Sequence, residues 1–303
     1  MLKQFFERLY AHKKAMRIIG SSVLVLLAVA VVVGLLNGLI ADGTWSFGWS
    51  SYRYDETDFE IGSGTVYSRS ITDLEIDWID GEVKIVLCDD ASISMTEEIE
   101  GEVADTALLR RRLSEDGTKL TVKYRASASF LGCGSTGVNK SLTVRIPKSM
   151  ANLQSLTVTA ESAVITSDGI SATSFSVTSK TGDVTLTNGG AETFSIQTVS
   201  GKIDANISVL KSATLVSKRG DLRLSTQSAP SLLDLNTQKG NISISIPADC
   251  GFALTLDADT NRFACDRALS NHGEGAYSYG DGGSQIKLSA PKGSVSINTA
   301  TAE

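Results

Sequence analysis

The sequence predicts an all-β exported domain, a β-solenoid-like stack of 19 to 20-residue repeats, preceded by one N-terminal transmembrane helix. Three observations lead there. The hydrophobic residues, 42% of 303, are largely Val, Ile and Leu set among Ser and Thr, which is strand composition, with only 4 Pro to interrupt it. An apolar pattern of fixed spacing recurs seven times. A stretch of 23 residues near the N-terminus carries no charge.

Residues 1–17 read as a cytoplasmic tail, with Lys3, Arg8, Lys13, Lys14 and Arg17 against one acid, Glu7. Residues 18–40 form the uncharged span, which as a helix reaches roughly 35 Å at 1.5 Å per residue, enough for a bilayer core. A cleavable signal has an apolar region of only about 7 to 15 residues. A cut after Ala41 would also leave Leu39 at the small-residue place, so the anchor is expected to stay on the chain. The basic flank precedes the span and Asp42 follows it, which leaves the N-terminus inside and exports the rest. Gly34 and Gly38 form a GxxxG, a spacing that lets such helices dimerise, although Gly is common in membrane helices generally. Residues 41–64 are an aromatic juxtamembrane linker, where Trp45, Phe47, Trp49, Tyr52 and Tyr54 suit an interfacial belt or the edge of the exported domain.

Residues 65–150 make the N-terminal β segment. Strands are expected at 92–96, 120–124 and 142–146, the last ended by Pro147. Residues 103–113, with Leu108, Leu109 and the run Arg110, Arg111 and Arg112, are expected as one short helix with the arginines on a solvated face.

Residues 151–303 make the β-repeat segment. An apolar pair at i and i+2 is followed by a small residue at i+7 and a second apolar pair at i+9 and i+11. Four consecutive copies begin at Phe175, Phe194, Ala213 and Leu233, and their small residues are Gly182, Gly201, Gly220 and Gly240. A degenerate copy, Leu156 to Ile165 with Ala163 at the corner, precedes them. Two more stand apart: Leu74, Ile76, Gly81, Val83, Ile85, and Ile286, Leu288, Gly293, Val295, Ile297. Alternation of period two marks strands with one buried face, and the small residue falls in a tight corner where glycine tolerates positive φ. One repeat encloses no core; repeats stacked about 4.8 Å apart do. This register places Phe175, Phe194 and Leu233 in one column. A sandwich of hairpins is the competing architecture, and it gives no reason for a fixed step.

All four cysteines lie beyond the span, where disulfides persist. Cys250 with Cys265 is the local pairing and leaves Cys88 with Cys133; free buried thiols are the alternative. With only His12 and His272 in the chain, no Cys/His metal site is expected. Asp183 and Asp221 follow corner glycines, but the equivalent places hold Lys202 and Asn241, a solvated ladder rather than a catalytic acid pair. Gly280, Asp281, Gly282 and Gly283 read as a turn with too few oxygens for calcium. The glycines after Phe130 (Gly132, Gly134 and Gly137) are not followed by the Gly-Lys-Ser/Thr of a phosphate loop. No catalytic residue, cofactor or metal is therefore assigned. Net charge is −6 overall and −10 beyond residue 17, a poor match for nucleic acid.

Five segments carry a resemblance to a known family: residues 71–86 (ITDLEIDWIDGEVKIV), 142–147 (LTVRIP), 179–186 (SKTGDVTL), 217–224 (SKRGDLRL) and 240–251 (GNISISIPADCG). In order and spacing they resemble the bacterial "putative adhesin" family of unknown function with β-strand repeats, which includes the LiaG-like exported proteins. The resemblance covers about residues 65–300 and implies a repeat fold and a place in the bacterial cell envelope, with no catalytic residues to carry over. The expectation is a non-enzymatic, single-pass membrane protein that contacts the bilayer through residues 18–40 and presents its ectodomain to an envelope protein or cell-wall polymer. A sensory ectodomain of an envelope-stress pathway is the second reading, and a carbohydrate-active β-helix enzyme the third.

Overall fold

The computed structural model describes residues 58–67, 69–101, 108–124 and 140–300. The span at 18–40, the aromatic linker up to residue 57 and Cys133 lie outside the described residues. Among the described residues no helix is long and apolar enough to cross a membrane.

Among the described residues twenty strands follow in chain order. The first group is β1 (Glu60–Ile61), β2 (Gly64–Val66), β3 (Asp73–Cys88), β4 (Ile93–Ile99), β5 (Leu109–Leu113), β6 (Lys119–Tyr124) and β7 (Lys140–Pro147). The repeats give β8 (Asn152–Asp168), β9 (Ser171–Thr181), β10 (Val184–Ser200), β11 (Ile203–Arg219), β12 (Leu222–Ser225), β13 (Leu232–Lys239) and β14 (Ile242–Ile246). The last group is β15 (Phe252–Asp257), β16 (Phe263–Cys265), β17 (Ser270–Gly273), β18 (Ala276–Tyr279), β19 (Ser284–Ser289) and β20 (Val295–Thr299).

The repeats stack as parallel rungs in the register of their spacing. Leu156 lies beside Phe175, Phe175 beside Phe194, and Phe194 beside Ala213. Where the spacing lengthens by one, Ala213 still meets Leu233 and Leu222 meets Ile242. Phe175, Phe194 and Leu233 therefore share one buried column as expected, and the two phenyl rings meet edge to face at 5.7 Å. Ala213 beside Phe194 pairs a small residue with a large one, which keeps the column filled. Each rung has two arms joined at the corner. The long strand β10 supplies the second arm of one rung and the first arm of the next, shifting register at Asn188.

The two detached copies lie inside this stack, each second from an end. Strand β3 pairs along its length with β8 on one side, Leu74 meeting Leu156 and Val83 meeting Ile165. On its other side it pairs with β6 and β7. At the far end β19 and β20 insert between β13–β14 and β15–β16. Antiparallel strands close the ends: β5 on β6 and β4 on β7 at one, β18 on β15 at the other. A parallel stack with bare edges would template further strands; the antiparallel covers stop that growth on both arms at the first end and on the β15 arm at the other, while β16 pairs only with β20 among the described residues.

Residues 109–113 are strand β5, not the expected helix, and the arginine run is not uniformly solvated. Arg110 is buried and donates to the Leu108 carbonyl at 3.0 Å. Arg111 pairs with Glu60 at 2.5 Å, and Arg112 sits 4.7 Å from the centre of the Phe59 ring. Pairing with β6 overrides the local pattern, because an unpaired β6 would leave a row of backbone donors and acceptors bare.

The corner column and the two ends of the stack

The corner residues form a column of backbone against backbone. A Cβ at Gly201 would lie 2.1 Å from the Gly182 carbonyl oxygen, and one at Gly220 would lie 1.9 Å from that of Gly201. Gly240 meets Gly220 at 2.0 Å, Gly293 meets Gly240 at 1.7 Å, and Gly182 meets Ala163 at 2.0 Å in the same way. A Cβ at Gly81 would lie 1.9 Å from the Lys140 carbonyl oxygen. The demand is close approach more than dihedral freedom. Gly81, Gly182 and Gly220 have positive φ (87°, 114° and 156°), but Gly201, Gly240 and Gly293 do not, which corrects the expectation that positive φ selects every corner.

Side chains on either side of the glycines tie one rung to the next. Asp183 accepts the backbone N–H of Lys202 at 2.7 Å, Asp221 that of Asn241 at 2.7 Å, and Asn241 that of Ser294 at 2.9 Å. The carboxylates weighed above as an acid pair are thus engaged as corner acceptors. Three residues before Gly182, Gly201, Gly220 and Gly240 stands a buried hydroxyl: Ser179, Thr198, Ser217 and Thr237. Ser217 donates to the Gly201 carbonyl at 3.3 Å and Thr237 to that of Gly220 at 3.0 Å. The recurrence of Ser or Thr at that place was visible in the sequence but is masked by how common both residues are there.

At the β6–β7 end the corner place is taken by Lys140, whose side chain is fully buried and pairs with the buried Glu97. Its ammonium lies 3.7 Å from the centre of the Tyr124 ring, which in turn tilts against Trp78 at 5.0 Å. Burial pushes the Lys140 pKa down, and the Glu97 bond opposes that push. Glu97 also accepts the Leu109 N–H at 3.0 Å, so the pair holds the covering strands β4 and β5 to the first rung.

At the opposite end the structure corrects the expected staple. Cys250 and Cys265 are free thiols, and so is Cys88. Cys265 aligns with Ile297 at the last apolar place of the terminal rung, packed against the core. Burial raises its pKa. The buried Cys250 sulfur lies 3.3 Å from the Ser284 hydroxyl. The closing contact is Arg267 instead, which donates to the carbonyls of Cys250 at 2.9 Å, Ile246 at 3.0 Å and Pro247 at 2.7 Å. Its guanidinium lies 5.0 Å from the Tyr279 ring centre and 5.6 Å from that of Phe252. Asp281 turns back on the Gly283 N–H at 3.1 Å, the turn that its glycines imply. Among the described residues no three His, Cys, Asp or Glu side chains gather as a metal site.

The outward faces are rows of short polar side chains: Thr157, Ser176, Ser195 and Thr214 stand beside one another on successive rungs. On the second arm a polar depression of about 300 Å³ is lined by Asp204, Asn206, Arg223, Gln227, Ser245 and Thr299.

Stacked parallel rungs, a corner column of small residues and antiparallel end covers define a β-solenoid-like repeat protein. Residues 71–298 match the Toastrack DUF4097 family model, and the chain belongs to that family. No curated protein matches it. Two solved structures are similar. One is described as a putative cell adhesion protein from Clostridium sporogenes, 10% identical with a TM-score of 0.29, covering 80% of this chain and 100% of that one. The other, a putative adhesin from Bacteroides fragilis, is 13% identical with a TM-score of 0.40, covering 79% of this chain and 97% of that one.

Proposed function

We propose that the chain is a non-enzymatic, membrane-anchored envelope protein whose β-repeat ectodomain contacts the cell wall, another envelope protein or a neighbouring cell. The supporting observation is the in-register stack, which converts a short sequence repeat into continuous rows of outward side chains. Such rows engage an extended partner along their length, as solenoid surfaces do. Asp183 and Asp221 each accept a backbone N–H of the next rung, which supports their reading as corner acceptors over a catalytic acid pair. The uncharged stretch at 18–40 with its basic flank supports a tether with the N-terminus inside.

Cell fractionation tests this reading. The full chain is expected in the membrane fraction after alkaline extraction, and protease added to intact cells should release the ectodomain while sparing a short membrane-bound tail. Replacing residues 18–40 with a cleavable signal should send the ectodomain out untethered. A chain recovered in the cytosol, or one that external protease leaves whole, would overturn it.

A further inference from the structure

We infer that the corner ridge over the C-terminal half of the stack binds a linear, phosphate-bearing polymer. The inference deepens the surface reading above by naming the partner's chemistry, and it takes the partner's envelope location from that reading. Its starting point is a segregation of charge. The corners at 198–202, 217–221, 237–241 and 290–294 hold Lys202, Lys218, Arg219, Lys239 and Lys292 against one acid, Asp221, and the corner before them, 179–183, is mixed, with Lys180 and Asp183. The corners at 78–82 and 160–164 hold Asp80, Glu82 and Glu161 and no base. A chain whose net charge is −6 thus gathers cations on one stretch of one edge.

The stacking makes that gathering costly. Arg219 lies directly beside Lys239 on the next rung, and Lys292 precedes Gly293 as Lys239 precedes Gly240, the two glycines being in contact. Three cations therefore follow one another at the rung spacing of about 4.8 Å, and like charges directly opposite in a sheet destabilise it. The same column holds Ser162, Thr181 and Ser200 on the earlier rungs, so the fold does not require a base there. Four lysines elsewhere on the surface are paired: Lys180 with Glu161 at 2.8 Å, Lys211 with Glu192 at 2.5 Å, Lys119 with Glu75 at 2.8 Å and Lys148 with Asp89 at 2.8 Å. The five ridge cations are exposed, and none makes an ion pair among the described residues.

The arrangement selects among anions. Cations in file along the stacking axis match charges in file on a polymer better than a single phosphate. These corners contain no aromatic residue on which an uncharged sugar would stack. None of the exposed large apolar side chains lies in them to enter a bilayer. A guanidinium beside ammonium groups suits phosphate oxygens, which accept paired N–H bonds from the fork.

Inorganic polyphosphate of defined length, titrated against the full chain in non-ionic detergent, tests the inference. Binding is expected to weaken at least tenfold in the variant Arg219→Ser, Lys239→Ser, Lys292→Ser. The slope of log affinity against log salt should fall by about 2, at roughly 0.7 per cation removed. The opposite change, Ser200→Lys, lengthens the column and should tighten binding, which keeps the inference open to refutation if the triple variant misfolds. Polyphosphate binding that neither change moves would overturn it. So would binding to phosphatidylglycerol vesicles that exceeds polyphosphate binding and is lost in the triple variant. Either result leaves the membrane topology standing, whereas a cytosolic location would remove the tether and leave polyphosphate binding measurable.

Discussion

The Gly182 carbonyl occupies the space where a side chain at Gly201 would begin. Replacing Gly201 by Ala is expected to force two rungs apart and destabilise by about 1–3 kcal/mol or more, as overpacking does. Lys202→Ala, one place along, trims an exposed side chain and should change stability by less than about 0.5 kcal/mol. Urea unfolding of the two variants side by side checks the difference. A second residue-scale effect concerns Asp73, whose carboxyl is held below the usual range by hydrogen bonds from Ser155 and then Thr72, the latter at 2.7 Å. A carboxylate with a depressed folded pKa adds stability that is fully present above its unfolded value of about 3.9 and fades as pH falls through the folded one. Asp73→Asn should therefore flatten the loss of stability between about pH 5 and pH 2, read from unfolding midpoints. An unchanged acid limb would show that the two bonds contribute nothing.

Strand composition and a fixed step were enough to read the rungs from 156 to 244, because buried columns impose period two on every arm. The outermost rungs were not legible, for a physical reason. Leu254, Leu256, Phe263 and Cys265 keep the apolar spacing, but Asn261 holds the corner within a short turn over Thr260–Arg262 capped by Asp259. At the other end Leu120, Val122, Leu142 and Val144 keep both arms, with the corner lengthened and Lys140 where glycine would be. Among the described residues no rung of the parallel stack lies beyond Lys140, so the steric demand for glycine lapses and the signal goes with it. Strand β5 was missed because its partner, not its own pattern, makes it a strand. The role of Arg267 was hidden as well, since nothing in sequence distinguishes a base that caps carbonyls from one in water. Arg267→Ala is expected to lower stability by about 2–3 kcal/mol through the loss of three charged hydrogen bonds. Arg267→Lys should recover only part of it, because an ammonium cannot fork across three carbonyls. Thermal melts of both variants check this, and equal effects would mean that the guanidinium shape is irrelevant.

At the scale of the whole molecule, the chain does not stack in the order in which it is written: both detached copies return to sit one rung inside the ends. Each end rung is thus held through a segment from elsewhere in the chain, and all of them pack in one core, so the domain is expected to unfold as a unit rather than fray from a terminus. The proposed function requires that this core be carried outside the cell with one face of each arm bare. Labelling with a membrane-impermeant maleimide reads both features at once, in full-length chains whose four cysteines are replaced and which carry one new cysteine each. On intact cells Thr178→Cys, on the exposed face of β9, should label quickly, and Val177→Cys, fully buried beside it, only after denaturation. Gln4→Cys in the tail should label only after permeabilisation. Labelling of Thr178→Cys that also needs permeabilisation would contradict the exported location, and equal rates at positions 177 and 178 would contradict the stack.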